Sequence, residues 1–438
     1  LHTDGRRIVD DEGTEVKLRG VAFSGYEGGG DKHYESDYAQ IRNWGFNVVR
    51  LPIAWNYIEP QPGVYDLAHL ANIVDRDIAW AKKYGIYIVL DMHQWVWSSY
   101  FSWWGGHGNG LPEWAVRGYP NTFEGCGIAI TDFWLGKGPN GTTASSSNPS
   151  MQDRYIEMWK FVANHYKNEP HIIYDVFNEP YRGDYYYPAG GLDEYATAPY
   201  LYRFYNRLIP AIRQIDPDRI IMYEPVSGWH VPAAQKLNYP NLIFSFHCYD
   251  YAGNYNGDRA MLERNFWDKF MSYPQPDNLA NWQMPVWLGE FGCADTAPYY
   301  EQWIKDMASV CADYNIGWSW WYYTPDTSVS SSSLLDGNRA EKTTLTIPLR
   351  ATLTAPVDAP HITLGIGVSD STLGTVSPSG LGIYYIGNNY TFTATATAFG
   401  VFDHWDHSGT NWGYSNPLTV TITADMQGTG FAAMFRAK

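Results

Sequence analysis

Short apolar runs of strand length recur along this chain, and most are followed by a stretch with helical spacing. Val16–Ser24 is the first run. The segment Ser36–Gly45 then reads as a helix capped by Ser36 and ended by Gly45. Asn47–Trp55 is the second run, followed by a helix over Leu67–Tyr84 that Gly85 stops. Ile86–Gln94 is the third, and a loop from Trp95 to Ser150 separates it from a helix at Met151–Tyr166. Further runs end in "FNEP", "YEPVS", "HCYD", "LGEFGC" and "WWYYT". Eight such strands with helices between them predict a parallel sheet closed into a (β/α)8 TIM barrel, an α/β fold. An open doubly wound sheet fits less well, because no G-x-G-x-x-G turn follows the first strand. The cluster Glu27–Gly30 lacks that spacing and reads as a plain loop.

The pattern changes near Pro348. Residues 348–360 are punctuated by proline and read as a linker. From His361 to Lys438 only six residues are charged, while Thr occurs twelve times and Gly eleven. The alternation in "YTFTATATA" and "LTVTITA" predicts strands. The expected organisation is therefore a barrel over 1–347, a linker over 348–360 and a small C-terminal all-β domain over 361–438.

Composition narrows the chemistry. The chain carries 30 Lys and Arg against 46 Asp and Glu, a net charge of −16. Such a surface repels phosphate backbones and anionic lipid headgroups, which argues against nucleic acid as a partner. Aromatic residues make up 17% of the chain, including 20 Trp and 35 Tyr. They suit either a large core or the stacking of sugar rings. The four cysteines, Cys126, Cys248, Cys293 and Cys311, form no zinc-type spacing. Buried thiols are expected, with one disulfide possible. No run is long and apolar enough to span a membrane. No metal or nucleotide motif stands out, so cofactor-free chemistry is expected.

In a parallel barrel, functional side chains sit at the C-terminal strand ends. The polar residues there are Arg50 on the second strand, His93 after the third, Asn178 and Glu179 after the fourth, and His247 and Tyr249 at the sixth. Glu290 ends the seventh, and the eighth is rich in Trp. Two carboxylates facing each other across one mouth are what glycoside hydrolysis requires. A separation of about 5–5.5 Å implies a covalent intermediate, and about 6.5–9.5 Å implies inversion. Taken singly, Arg50 reads equally as a structural ion pair, and the histidines as core residues. Glu224 also ends a strand and is the rival carboxylate, but no Asn precedes it. Asp91 reads as a buried structural acid, and Asp175 lies inside its strand.

The ordered motifs "GFNVVRLPIAW", "LDMHQ", "FNEP", "HCY" and "LGEFG" resemble the retaining β-glycosidases of glycoside hydrolase family 5, over residues 1–325. The resemblance implies Glu179 as acid/base and Glu290 as nucleophile. It implies Arg50 and Tyr249 as hydrogen-bond donors to Glu290, and Asn178 as the contact to the sugar 2-OH. His93 and His247 would line the subsite, with Trp321 as its floor. The commonest activity of that family makes endo-β-1,4-glucanase the first expectation for a β-glucan or oligosaccharide substrate. The segments "YIEPQPGVYD" and "YGIYIVLDMHQ" look more like endoglycoceramidase-type members, whose substrate would bring a membrane lipid into play. The tail resembles β repeat modules of bacterial extracellular proteins and implies secretion, and a monomer is expected. A non-catalytic carbohydrate-binding surface protein is the alternative of another class, and the paired acids count against it.

Overall fold

The computed structural model describes residues 1–24, 33–103, 108–249, 255–325, 332–353, 361–377, 379–385, 389–426 and 428–438. The expected Glu27–Gly30 loop and Trp104 lie outside these. The eight barrel strands are, in order, Arg19–Phe23, Val48–Ile53, Tyr87–Met92, Ile172–Asp175, Ile221–Tyr223, Leu242–His247, Val286–Phe291 and Gly317–Tyr323. Each pairs in parallel with its sequence neighbours, and the eighth closes on the first. Helices cover the outside, so the strands are buried on both faces and read as continuous apolar runs.

Inside the barrel the period of two builds layers. Val48, Val89, Ile173, Met222, Ile243 and Trp287 belong to one apolar cluster with Leu18 and Ile220. Two residues further along the same strands stand Arg50, Asp91, Asp175, Glu224, Ser245 and Gly289. A polar layer thus rests directly on an apolar one. Glu290 falls out of this parity. Phe246 pairs with Leu288, but His247 pairs with Glu290, so the seventh strand bulges at Gly289. A bulge re-aims the residue that follows it. Only glycine fits there, since a Cβ would lie 2.6 Å from Ser245 Oγ and 2.9 Å from His247 Nε2.

Several local expectations are corrected. The first helix is Glu35–Asn43, so Ser36 lies within it. The Tyr34 N–H instead donates to Asp37 Oδ2 at 2.8 Å. The segment read as a loop over 95–150 contains a helix at Phe123–Trp134. The linker does not begin at 348. Thr343–Ala351 is helical, because Leu345, Pro348 and Leu349 form a buried face at helical spacing that outweighs the proline as a break. Gly45 and Gly85 end their helices as expected, both at positive φ. All four cysteines are buried and unpaired.

The chain divides into two compact units, residues 1–257 with 267–353, and residues 258–266 with 354–438. The second unit contains a five-stranded and a three-stranded sheet around Phe392, Trp405 and Phe431. Its alternating runs form the strands Asn389–Ala396 and Leu418–Thr421, which pair antiparallel.

Gly20 on the first strand shows how tightly the barrel closes. A Cβ there would sit inside contact distance of the Val48 carbonyl. Gly20→Ala is therefore expected to destabilise the barrel by about 1–3 kcal/mol or more, read as a lowered thermal midpoint. An unchanged midpoint would show that the first two strands separate freely.

Candidate active site

Arg50 is fully buried at the centre of the polar layer. Its Nη1 donates to Glu290 Oε1 at 2.6 Å. Its Nη2 donates to Asn178 Oδ1 at 2.8 Å and to Asp175 Oδ2 at 3.0 Å, and lies 3.0 Å from Asp91 and 3.2 Å from Glu224. Burial disfavours the guanidinium charge, but Asp91, Asp175, Glu290 and Glu224 outweigh it and hold the group charged, well above its ordinary pKa. Asp175 goes the other way. Burial and the nearby Glu224 push its carboxyl well above the usual range, against the pull of Arg50.

Glu179 follows the fourth strand with φ +39°, in the left-handed region. A non-glycine residue held there costs on the order of 1–3 kcal/mol. Its Oε1 lies 2.8 Å from His247 Nδ1. Glu290 Oε2 accepts from the Tyr249 hydroxyl at 2.6 Å. His247 Nδ1 is also 3.6 Å from Glu290, and its Nε2 is 3.2 Å from Glu224. His93 donates from Nδ1 toward Asp91 at 2.8 Å and stacks on Trp321, with centroids 5.6 Å apart and planes 5° from parallel. Trp318 and Trp320 are core residues, while Trp321 is half-buried. The structure thus brings Arg50, His93, Asn178, Glu179, His247, Tyr249, Glu290 and Trp321 to one mouth.

The environments of the two glutamates differ. Burial raises Glu179, and the charges of Glu290 and Glu224 add to this. The His247 contact pulls down but does not cancel them, so its carboxyl sits above the ordinary value. Burial would raise Glu290 too. There the charges of His247, Arg50 and His93 and the Tyr249 hydrogen bond prevail, and its carboxyl sits below the ordinary range.

One donor atom each of Glu179, His247 and Glu290 lies within 4.8 Å of the others, close enough to converge on a cation. Each already faces a partner inside the protein, so a metal would have to displace Arg50, Tyr249 or Glu224 from them.

Sequence reasoning passed over Glu224 and Gln94 as functional residues. Glu224 Oε2 accepts the Glu179 N–H at 2.8 Å, and Gln94 Nε2 donates to the Glu179 carbonyl at 2.7 Å. The signal for Glu224 was present. It stands two residues after Met222 of the apolar layer, as Asp91 stands after Val89.

A parallel eight-stranded barrel with two buried, closely facing glutamates at the strand ends defines a barrel of the glycosidase class. The cellulase model, glycosyl hydrolase family 5, matches residues 9–327, and the chain belongs to that family. It is 26% identical over 267 residues to an endoglycoceramidase of Hydra vulgaris, covering 53% of this chain and 50% of the relative. The chain spans 60% of the length of a second endoglycoceramidase, from Cyanea nozakii. An endoglucanase of Paenibacillus polymyxa is 22% identical over 379 residues, covering 76% of this chain and 82% of the relative. Among solved structures, endo-glycoceramidase II from Rhodococcus sp. shares the fold, with a TM-score of 0.66, 23% identity and coverage of 97% and 98%.

Tyr249→Phe removes a hydrogen bond that favours the ionised form of Glu290. The Glu290 pKa is expected to rise toward the ordinary glutamate value of about 4.3. A carboxyl-carbon NMR titration checks this, and an unmoved Glu290 resonance would count against the bond.

Proposed function

We propose that this chain hydrolyses a β-glycosidic bond with retention, with Glu290 as nucleophile and Glu179 as acid/base. The observation that carries this reading is the close approach of the two carboxyl groups, with one atom of each within 4.8 Å. That spacing is in keeping with the roughly 5–5.5 Å separation of a retaining pair and supports direct attack by one carboxylate. Glu290 attacks the anomeric carbon as the bond to the leaving oxygen breaks, and the Glu179 proton moves to that oxygen. Glu179, now a carboxylate, takes a proton from water. The water oxygen attacks the same carbon and releases Glu290. The opposite pKa directions suit these roles. Esterification of Glu290 removes a charge that raises Glu179, so the acid becomes a better carboxylate when a base is needed.

The other side chains support the same reading. Asn178 Nδ2 spends one hydrogen on the Gln94 carbonyl at 3.1 Å, which leaves the second for the sugar 2-OH. The paired rings of His93 and Trp321 offer a wall for the sugar.

For the substrate, the glycolipid reading takes precedence over endo-β-1,4-glucanase. A chain of rings starts two residues after Glu179. Tyr181 meets Tyr186 at 5.9 Å, and Tyr186 meets Phe123 at 5.0 Å and Tyr185 at 4.9 Å. Trp103 closes on Phe123 at 5.0 Å. Phe123 and Tyr185 end the chain at the surface. Because the rings start beside the acid in sequence, we read them as lining the leaving-group side, where they suit an apolar group such as a ceramide. The endoglycoceramidase names among the relatives support this. The endoglucanase reading is supported by the Paenibacillus relative, matched over most of its length. Secretion fits either reading, since both polymeric glycans and surface glycolipids are met outside the cell. The chain is read as acting as a monomer.

Two measurements test these proposals. Glu290→Gln is expected to lose turnover by several powers of ten with an unchanged fold, each factor of ten being about 1.4 kcal/mol of barrier. Glu179→Ala is expected to retain attack on a dinitrophenyl glycoside, to fail on poor leaving groups, and to be accelerated by azide with a β-glycosyl azide product. Equal losses on both substrate types would remove Glu179 from the acid role.

For the substrate, the wild-type chain is expected to release oligosaccharide from a glycosylceramide dispersed in detergent and to leave β-1,4-glucan intact. Phe123→Ala should raise KM for the glycolipid more than for a short aryl glycoside. Cleavage of β-1,4-glucan alone would restore the endoglucanase reading.

A further inference from the structure

We infer that Glu224 and Gln94 are positioning residues that clamp the Glu179 peptide from both sides and so aim its carboxyl group. The inference rests on the acid/base role proposed for Glu179. The Glu179 N–H donates to Glu224 Oε2 at 2.8 Å, and the Glu179 carbonyl accepts from Gln94 Nε2 at 2.7 Å. Both side chains are buried, so water does not compete for these bonds. Between them they hold the residue at φ +39°, a conformation it would leave in a free chain.

Each clamp is fixed in turn. Gln94 Oε1 accepts from the Trp97 N–H at 3.1 Å, which sets the amide orientation. Val96 and Trp97 are themselves left-handed, and a Cβ on Gly110 would lie 2.6 Å from Gln94 Cβ, so the loop closes tightly over the amide. The Glu224 carbonyl accepts from the Tyr205 hydroxyl at 3.0 Å. Its Oε1 faces Arg50 Nη2 and His247 Nε2, each at 3.2 Å. His247 Nδ1 lies 2.8 Å from the Glu179 carboxyl. Glu224 therefore holds Glu179 at its peptide by a hydrogen bond and lies in ionic contact with the histidine that faces its carboxyl. On the other flank Gly228 lies against Glu179 Cγ, where a Cβ would come within 2.8 Å.

A group that aims the acid matters only when the leaving oxygen needs a proton. Glu224→Gln keeps the shape but sets an amide N–H against either the Glu179 N–H or the His247 and Arg50 donors. Gln94→Met keeps the volume and removes the donor without changing any charge. Each is expected to lower kcat/KM on a poor leaving group, such as a methyl glycoside, by about ten- to a hundredfold, with little change on the dinitrophenyl glycoside. Near-ultraviolet circular dichroism and the thermal midpoint check the fold, and if one variant fails to fold the other decides. Equal losses on both substrates, or no loss on either, would overturn the inference. Glu179→Ala run alongside separates the two claims. If it shows the leaving-group split and the clamp variants do not, only the clamp is wrong. If it shows none, the acid role and the clamp fall together.

Discussion

The buried guanidinium of Arg50 is the constraint around which this barrel is built. Moving such a charge out of water costs several kcal/mol, and only close pairing and full hydrogen bonding offset it. Arg50 has four carboxylates and an amide oxygen around it. Four anions around one cation would repel one another, and the strain falls on Asp175, whose carboxyl is driven toward its protonated form. The apolar layer one step below seals the cluster from the other end of the barrel. In that drier setting each charge acts more strongly on its neighbours than it would at the surface. The core and the site are therefore consecutive layers of the same strands.

That arrangement also separates the two glutamates. Glu290 touches Arg50 and Tyr249 directly, so hydrogen bonds and charge favour its ionised form. Glu179 has no such cation of its own and shares His247 with Glu224 and Glu290. Burial itself is similar for both. The direction of each shift is decided by the surrounding charges: His247, Arg50 and His93 together act on Glu290, whereas the negative charges of Glu290 and Glu224 act on Glu179 against the single pull of His247.

Much of this was legible in the sequence, because strand-to-helix alternation and polar residues at apolar run ends are written in residue order. The seven site residues named from those strands, and Trp321 added by the family resemblance, do meet at one mouth. What escaped depends on three-dimensional parity and packing. Glu224 looked like a spare acid because nothing beside it in sequence distinguishes it, although counting two from the apolar layer puts it beside Asp91 and Asp175. The bulge at Gly289 leaves no mark except the glycine. The Trp-rich eighth strand obeys simple alternation, with Trp318 and Trp320 in the core and Trp321 turned toward His93.

The helix Phe123–Trp134 was the hardest element to read, for a reason that bears on specificity. Its sequence "FEGCGIAITDFW" holds two glycines and several β-branched residues, which isolated helices disfavour. The glycines are there for packing. A Cβ on Gly127 would lie 2.7 Å from the Gly183 carbonyl, and one on Gly183 would collide with Thr131. Trp134 Nε1 donates to the Tyr181 carbonyl at 2.8 Å, and Gln152 Nε2 donates to the Phe133 carbonyl at 2.8 Å. Tertiary contact thus overrides propensity and joins this helix to the exit of the fourth strand, two residues past Glu179. Phe123, its first residue, packs on Tyr185 and Tyr186 a few residues beyond that exit. The rings proposed to receive the leaving group and the acid proposed to protonate it thus stand on neighbouring segments joined by the Trp134–Tyr181 hydrogen bond and the Gly127–Gly183 contact.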